Sequence, residues 1–84
     1  MTAKAILFTS PTCGPCKSMK PLITEAAAAA GVPLETFEVG DQSSLVMVFQ
    51  IRAVPTLVLL DQQYKEIKRM VGAASAVEIR EFFA

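Results

Sequence analysis

Two adjoining segments, Ala3–Thr9 (Ala-Lys-Ala-Ile-Leu-Phe-Thr) and Cys13–Ala30, decide how this chain folds. The first segment is short and apolar and stops at Ser10-Pro11, which is typical of a buried strand. The second segment places apolar residues at helical spacing and stops at Gly31-Val32-Pro33, where glycine and proline end a helix. The residues expected to form its apolar stripe are Met19, Leu22, Ile23, Ala26, Ala27 and Ala30.

The middle of the chain predicts a second strand and a short second helix. Pro33–Val39 is strand-like, and Gly40–Ser43 has the composition of a turn that contains a helix cap. Residues 44–51 fit either a strand or a short helix, and the flanking caps favour the helix. In that helix Leu45 and Phe49 face inward, so Met47 faces solvent.

The last third of the chain predicts a hairpin and a closing helix. Pro55–Leu60 and Tyr64–Val71 are strand-like and are joined by Asp61-Gln62-Gln63. Ser75–Ala84 is helical, beginning with the capping box Ser75-Ala76-Val77-Glu78. The element order is therefore β-α-β-α-β-β-α, and the leading β-α-β unit requires parallel pairing. We expect a single α/β domain over residues 1–84, with a four-stranded mixed sheet flanked by three helices.

Composition argues against several classes of function. The 84 residues include 8 Lys+Arg and 8 Asp+Glu, so the formal net charge is zero and bulk electrostatics do not favour nucleic acid. The densest charges, Lys65-Glu66 with Lys68-Arg69, are read as one solvated strand. No uncharged run approaches the length that spans a bilayer, and residues 1–12 lack the pattern of a signal peptide. We expect a cytoplasmic monomer without nucleic-acid or membrane partners.

The candidate site is Cys13-Gly14-Pro15-Cys16, where the first strand gives way to the first helix. Sites in open α/β sheets gather at the carboxyl ends of strands, and a spacing of three residues gives a Cα separation of about 5 Å, which a disulfide accepts. A helix N-terminus stabilises a thiolate, and Pro15 suits the first turn. We therefore interpret Cys13 as the attacking thiol and the more buried Cys16 as the resolving thiol.

Other uses of two cysteines remain as alternatives. Two buried structural cysteines are the default for an arbitrary pair. Half of a zinc site would need further ligands, but the chain has no histidine and no other cysteine. An iron–sulfur cluster shared between two copies is disfavoured by Pro15, which stiffens the loop of the redox form. The motif and its position favour a redox dithiol with no metal and no cofactor.

At this point a family resemblance emerges. Thr12-Cys13-Gly14-Pro15-Cys16-Lys17 resembles the active-site motif of thioredoxins, and Pro21 matches the proline that kinks the family's helix. Ile51-Arg52-Ala53-Val54-Pro55-Thr56 resembles the segment that carries a cis-proline. Val71-Gly72-Ala73 and Glu81-Phe82-Phe83 are similar to the family's last strand and helix. The resemblance covers nearly the whole chain but lacks an N-terminal strand and helix, which leaves a frame of glutaredoxin size.

The resemblance implies a thioredoxin-like fold and a thiol–disulfide oxidoreductase that reduces protein disulfides. Cys13 would be the nucleophile and Cys16 the resolving thiol, with Gly14 and Pro15 supporting them. The Val54–Pro55 bond would be cis and would leave the Val54 backbone free to pair with a substrate segment. The residues expected to bind substrate are Thr12, Val54, Pro55, Thr56, Gly72 and Ala73. Disulfide-containing proteins would be its partners, and a thioredoxin reductase would be its electron donor.

Three positions depart from the family pattern. Thr12 stands where the family has an aromatic residue just before the first cysteine. Leu7 replaces the family's buried acidic residue, and Thr36 replaces the lysine on the next strand. We therefore expect proton transfer at Cys16 to use water, Cys13 or a substrate group.

Two alternative functions stay open. The small frame keeps a glutaredoxin-like, glutathione-dependent reductase in view, although Gly14-Pro15 is not the usual glutaredoxin pair. The stretch Gly72–Ser75 also lacks the acidic residues that bind glutathione in that family. A redox-inactive binding module that uses the Val54-Pro55-Thr56 edge is the third reading.

Overall fold

A computed structural model describes residues 2–40 and 43–84. Within these ranges the elements follow the predicted order. Their bounds are β1 (Thr2–Thr9), α1 (Gly14–Ala30), β2 (Leu34–Glu38), α2 (Ser43–Val48), β3 (Thr56–Asp61), β4 (Glu66–Val71) and α3 (Ala76–Phe83). The strand order is β2-β1-β3-β4, with β1 parallel to β2 and the other two pairs antiparallel. This confirms the prediction of a mixed four-stranded sheet with three helices.

The central strands are apolar because both of their faces are covered. On β1, Ala5 and Leu7 belong to the core cluster formed with α1 and α3, whereas Ile6 and Phe8 belong to the cluster on the α2 side. Strand β3 alternates in the same way between the two clusters. Near-continuous apolar runs are what strands buried on both faces require. Strand β1 is therefore packed on both faces up to the point where it leads into the candidate site.

Helix α1 ends as predicted, but its buried stripe is narrower than expected. Gly31 adopts a left-handed conformation with φ of 71°, and its N–H donates to the Ala28 carbonyl. Glycine accepts such a φ without a Cβ penalty. Two members of the predicted stripe, Leu22 and Ala30, were placed wrongly: Leu22 is 39% exposed and Ala30 is exposed. They line an open groove between α1 and α3 instead of facing the sheet.

Helix α2 is helical, as the caps suggested, but it ends before residue 51. Gln50 takes a left-handed φ of 53°, the Gln50 N–H donates to the Met47 carbonyl, and the Ile51 N–H donates to the Val46 carbonyl. This is the Schellman arrangement that stops a helix. Met47 is 75% exposed, which confirms the predicted orientation. The predicted turn and cap at 40–43 include residues 41–42, which lie outside the described residues.

The β3–β4 hairpin has a longer turn than the sequence indicated. The Asp61 carboxylate accepts hydrogen bonds of 2.9 Å from the backbone N–H groups of Gln63 and Lys65. Tyr64 adopts a φ of 61° inside this turn. Because the Asp61 side chain holds the chain in the turn, β4 begins at Glu66 and not at Tyr64.

The capping box of α3 forms as predicted. Ser75 Oγ accepts a hydrogen bond from the Glu78 N–H at 3.2 Å, and Glu78 Oε1 accepts one from the Ser75 N–H at 2.9 Å. Ile79 and Phe82 then pack against the sheet beside α1. Across the described ranges, no helix combines the length and the apolar character that crossing a membrane requires.

Candidate active site

Cys13 lies at the junction of β1 and α1, held by a tight turn. Its N–H donates to the Ser10 carbonyl at 3.1 Å, so the chain reverses through Pro11 and Thr12. Cys13 is the N-cap residue of α1, and Pro15 sits in the first turn of the helix. A proline there gives up only an N–H that has no partner within the helix. The local sequence thus fixes the first cysteine at the carboxyl end of a buried strand.

The two cysteines form a disulfide, with their Cα atoms 5.3 Å apart. The Cys16 N–H donates to Cys13 Sγ at 3.2 Å, which is the capping contact of this helix. Cys16 is only 2% exposed, whereas Cys13 is half-buried. Cys13 is therefore the more exposed residue of the pair, and its Sγ is the one that accepts a backbone N–H. Gly14 and Pro15 are exposed on the outside of the loop.

A second segment, residues 51–56, reaches the same end of the sheet. The Val54–Pro55 bond is cis, as the resemblance implied. Phe8 pairs with Thr56, so Pro55 lies beside the end of β1, from which the Cys13 turn departs. Within the part of the chain that the structure describes, neither the N–H nor the C=O of Val54 has a hydrogen-bond partner. The Val54 backbone groups are therefore unpaired among the described residues.

The neighbours of Pro55 are held by two specific hydrogen bonds. The Gly72 N–H donates to the Pro55 carbonyl at 2.8 Å, which brings the end of β4 against this segment. The Thr56 hydroxyl donates to the Ala53 carbonyl at 2.7 Å, and Thr56 is only 1% exposed. The Thr56 side chain is thus committed to the loop, while Ala73 and Thr12 remain exposed. All the predicted substrate-binding positions gather at one end of the sheet.

One contact near this segment was not anticipated from the sequence. Arg69, expected on a solvated strand, is half-buried and donates to the Phe49 carbonyl at 2.7 Å. Residue type and position gave no signal of this role, because the partner is a backbone carbonyl twenty residues away. The described residues contain no group of three or more His, Cys, Asp or Glu side chains placed to bind a metal ion.

Comparisons of sequence and of structure with known proteins both match this chain to thioredoxins. The family model for thioredoxin matches residues 2–84. A thioredoxin of Haemophilus influenzae is 31% identical over 77 residues, a match that covers 89% of this chain and 71% of that protein. Among solved structures, thioredoxin 1 of Thermosipho africanus superimposes with a TM-score of 0.82 and 29% identity, covering 93% of this chain and 86% of that one. The thioredoxin NaTrxh of Nicotiana alata gives a TM-score of 0.83 and 33% identity, covering 96% and 70%.

These matches extend over both segments that form the site. They favour a redox dithiol over a glutathione-dependent glutaredoxin and over a binding module, because the Cys13–Cys16 pair occupies the helix N-terminus in disulfide geometry. By sequence, by fold and by the chemistry that its paired cysteines permit, this chain belongs to the thioredoxin family of thiol–disulfide oxidoreductases.

Proposed function

We propose that this chain reduces protein disulfides, with Cys13 as the nucleophile and Cys16 as the resolving thiol. The observation that carries this assignment is the asymmetry of the pair. Cys13 Sγ receives a backbone N–H and is partly accessible, whereas Cys16 is buried. The thiolate is the reactive form of cysteine, and N–H donors at a helix N-terminus stabilise it. The same donor that caps the helix would stabilise the Cys13 thiolate when the pair is reduced.

The reaction consists of two thiol–disulfide exchanges. The Cys13 thiolate attacks one sulfur of the substrate disulfide, forming a mixed disulfide and releasing the other substrate sulfur as a thiolate, which takes up a proton. Cys16 then loses its proton and attacks Cys13 Sγ. This step breaks the mixed disulfide, releases the second substrate thiolate and forms the Cys13–Cys16 bond. Two electrons pass from the protein to the substrate, and no cofactor takes part.

Substrate binding is assigned to the end of the sheet that carries both segments. An extended substrate segment would pair with the free N–H and C=O of Val54, which is a short form of β-augmentation. Pro55 offers no N–H to compete for the substrate sulfur. Thr12, Gly72 and Ala73 would flank the bound segment, and Thr56 would act through the loop that its hydroxyl holds. The support for this assignment is their common location.

The remaining assignments concern the setting of the reaction. We propose a thioredoxin reductase as the electron donor, a monomer as the working form, and the cytoplasm as the compartment. A reducing compartment keeps such a dithiol ready to act. Nucleic acid and membranes are not among the proposed partners, since the charge is balanced.

The test is turnover of insulin disulfides with NADPH under two donor systems in parallel. One contains thioredoxin reductase, and the other contains glutathione with its reductase. We expect turnover with the first system only, and none for Cys13→Ser. Turnover with glutathione only would overturn the proposal in favour of the glutaredoxin reading.

The single-cysteine variants test the assignment of roles. Cys16→Ser retains the nucleophile and should accumulate a mixed disulfide with its substrate, which mass spectrometry detects. Accumulation with Cys13→Ser instead would reverse the two roles. Undiminished insulin turnover by Cys13→Ser would remove the dithiol from the function altogether.

A further inference from the structure

Arg69 links the edge strand β4 to the end of α2. Its guanidinium donates to the Phe49 carbonyl at 2.7 Å, although the two residues are far apart in sequence. Arg69 pairs with Val58 across β3–β4, and paired residues share a face of the sheet. Val58 belongs to the core cluster on the α2 side, against which Phe49 and Val54 also pack. The Arg69 side chain therefore lies on the face that supports the 51–56 segment.

The carbonyl that Arg69 binds occupies a particular place in the chain. Gln50 and Ile51 donate to Met47 and Val46 to close the helix, and Phe49 is the last residue before this left-handed turn. Its carbonyl is one of those that a helix end leaves without a partner inside the helix. A cation is well suited to that position, because helix C-termini carry partial negative charge and basic side chains bind their last carbonyls.

The orientation of Arg69 is itself fixed. Nε donates to Glu66 Oε2 and Nη2 donates to Glu66 Oε1, both at 2.6 Å. This two-point contact holds a planar guanidinium far better than a single bond could. The same contact lowers the pKa of Glu66 and raises that of Arg69, so both groups stay charged near neutral pH. Glu66 thus orients the Arg69 guanidinium toward the Phe49 carbonyl.

The segment that follows is held at its other end as well. Thr56 donates to the Ala53 carbonyl and Gly72 donates to the Pro55 carbonyl. Between these bonds and the Arg69 bond lies the chain that carries the free Val54 backbone. Removing Arg69 would leave the Phe49 carbonyl without its side-chain donor, while the helix-closing bonds of Gln50 and Ile51 and the packing of the Phe49 ring against Phe8 remain.

We propose that Arg69 is a positioning residue for the oxidoreductase reaction, fixing the Phe49–Val54 connection so that the Val54 backbone is held in place for the substrate. The inference rests on the proposed function, because it concerns the same substrate edge. It makes Arg69 a determinant of substrate binding and leaves the chemistry of Cys13 unchanged.

The first test compares Arg69→Met with Lys68→Met. Lys68 is the adjacent residue on β4, and its ammonium lies over the Phe82 ring, against α3. Both variants lose one positive charge and keep an unbranched side chain. A hydrogen bond to a charged group changes an equilibrium by roughly ten-fold or more when it is buried, and by less when the group is partly exposed, as Arg69 is. We expect Arg69→Met to raise KM for insulin by about three- to ten-fold, with kcat and Cys13 alkylation within about two-fold of wild type. Lys68→Met should leave all three unchanged.

The second test is amide hydrogen exchange. Arg69→Met should accelerate exchange at Gln50 and Ile51, whose N–H groups close the helix, by about ten-fold relative to Lys68→Met. Exchange in β1 and β3 should not change. Arg69→Lys keeps the charge but lacks the planar fork that contacts both Glu66 oxygens while it reaches the Phe49 carbonyl, so it should give an intermediate KM and intermediate exchange.

Two results would overturn the inference. One is an Arg69→Met protein with the KM and exchange pattern of Lys68→Met. The other is uniform acceleration of exchange across the sheet with an equal loss of kcat, which would indicate only a general loss of stability. If the wild-type chain turns over no protein disulfide, the proposed function fails. The exchange measurement still decides whether Arg69 holds the connection.

Discussion

Leu7 and Thr36 are Cα partners in the parallel β1–β2 pair. Leu7 is fully buried in the core cluster with Met19 and Ile23, whereas Thr36 is exposed at the sheet edge. In the thioredoxin pattern these two positions hold an acidic residue and a lysine. Because neither side chain ionises, we expect the proton of Cys16 to leave through water, Cys13 or the substrate.

Placing an acid at this position should damage the fold. Leu7→Asp removes core packing worth roughly 2–5 kcal/mol and buries a carboxylate between its cross-strand partners Thr36 and Leu57, neither of which carries a charge. Burial raises the pKa of such a carboxyl group, so the folded state favours its protonated form. We expect urea unfolding to show a larger loss of stability at pH 7 than at pH 5.

Leu7→Asn is the matched control, because it has nearly the same shape and polarity without a titrating group. The difference between the Asp and Asn variants should grow as pH rises. An equal difference at pH 5 and pH 7 would contradict the burial of this position. Adding Thr36→Lys to Leu7→Asp should recover part of the lost stability at pH 7, since an ammonium then faces the carboxylate.

The asymmetry of the cysteine pair predicts selective alkylation of the reduced protein. Cys13 is accessible and capped by an N–H, and Cys16 is 2% exposed. Iodoacetamide at pH 7 should modify Cys13 at least about ten-fold faster than Cys16, because only a thiolate within reach reacts. Peptide mapping after brief labelling measures the ratio.

The Cys16→Ser variant isolates the titration of Cys13, because it keeps the backbone N–H at residue 16. Its alkylation rate should reach half of its maximum below the ordinary cysteine value of about 8.5. A midpoint at or above that value would mean that the helix N-terminus does not stabilise the Cys13 thiolate.

The lowered pKa values of Glu66 and Glu78 predict that the folded protein loses stability in acid. The pKa of Glu66 is lowered by its hydrogen bonds to Arg69, and the pKa of Glu78 is lowered by its bond to the Ser75 backbone; both lie below the ordinary value of 4.5. A lowered pKa means that the folded state favours the charged form. Their contribution is therefore complete above pH 4.5 and disappears as pH falls through the lowered values.

Glu66→Gln and Glu78→Gln separate the two contributions. Each should lower the urea midpoint at pH 7 and match wild type near pH 2, where the native carboxyl groups are protonated. Glu81→Gln, on the exposed side of α3, is the control. A deficit that persists unchanged at pH 2 would show that the carboxylate charge is not what stabilises these positions.

The sequence alone was sufficient where a local pattern dictates the outcome. Capping residues predicted the start of α3 at Ser75, and Gly31 with Pro33 predicted the end of α1. The cysteine spacing predicted the disulfide, because three residues at a helix start span the required Cα separation of 5.3 Å. These features depend on neighbours in the chain, which a sequence displays directly.

Features that depend on distant partners were missed or misplaced. Leu22 fits a helical stripe as well as Ile23 does, and only the position of α3 leaves it in an open groove. Gln50 ends α2 early in a left-handed conformation, and because this position is not a glycine, the sequence gives no signal of the helix end. Arg69 was read as a solvated charge because its acceptor is the backbone carbonyl of Phe49, which carries no residue type to recognise.

We predict that the Thr56 hydroxyl affects substrate binding at the Val54–Thr56 segment independently of its effect on stability. It donates to the Ala53 carbonyl from a position that is 1% exposed, and so it holds the loop that precedes β3. Thr56→Val keeps the branched shape that suits a strand but leaves that carbonyl without its donor, at a cost of about 1–3 kcal/mol. Thr56→Ser keeps the hydroxyl and loses one methyl group, and it serves as the control.

We expect Thr56→Val to raise KM for insulin several-fold while alkylation of Cys13 stays unchanged. Thr56→Ser should retain a KM near that of wild type despite some loss of stability. Urea unfolding and insulin kinetics on the same preparations measure both quantities. If KM follows stability across the two variants, the hydroxyl has no specific role at this edge. If KM rises only in Thr56→Val, which lacks the hydroxyl, substrate binding requires the loop geometry that the Thr56 hydroxyl maintains.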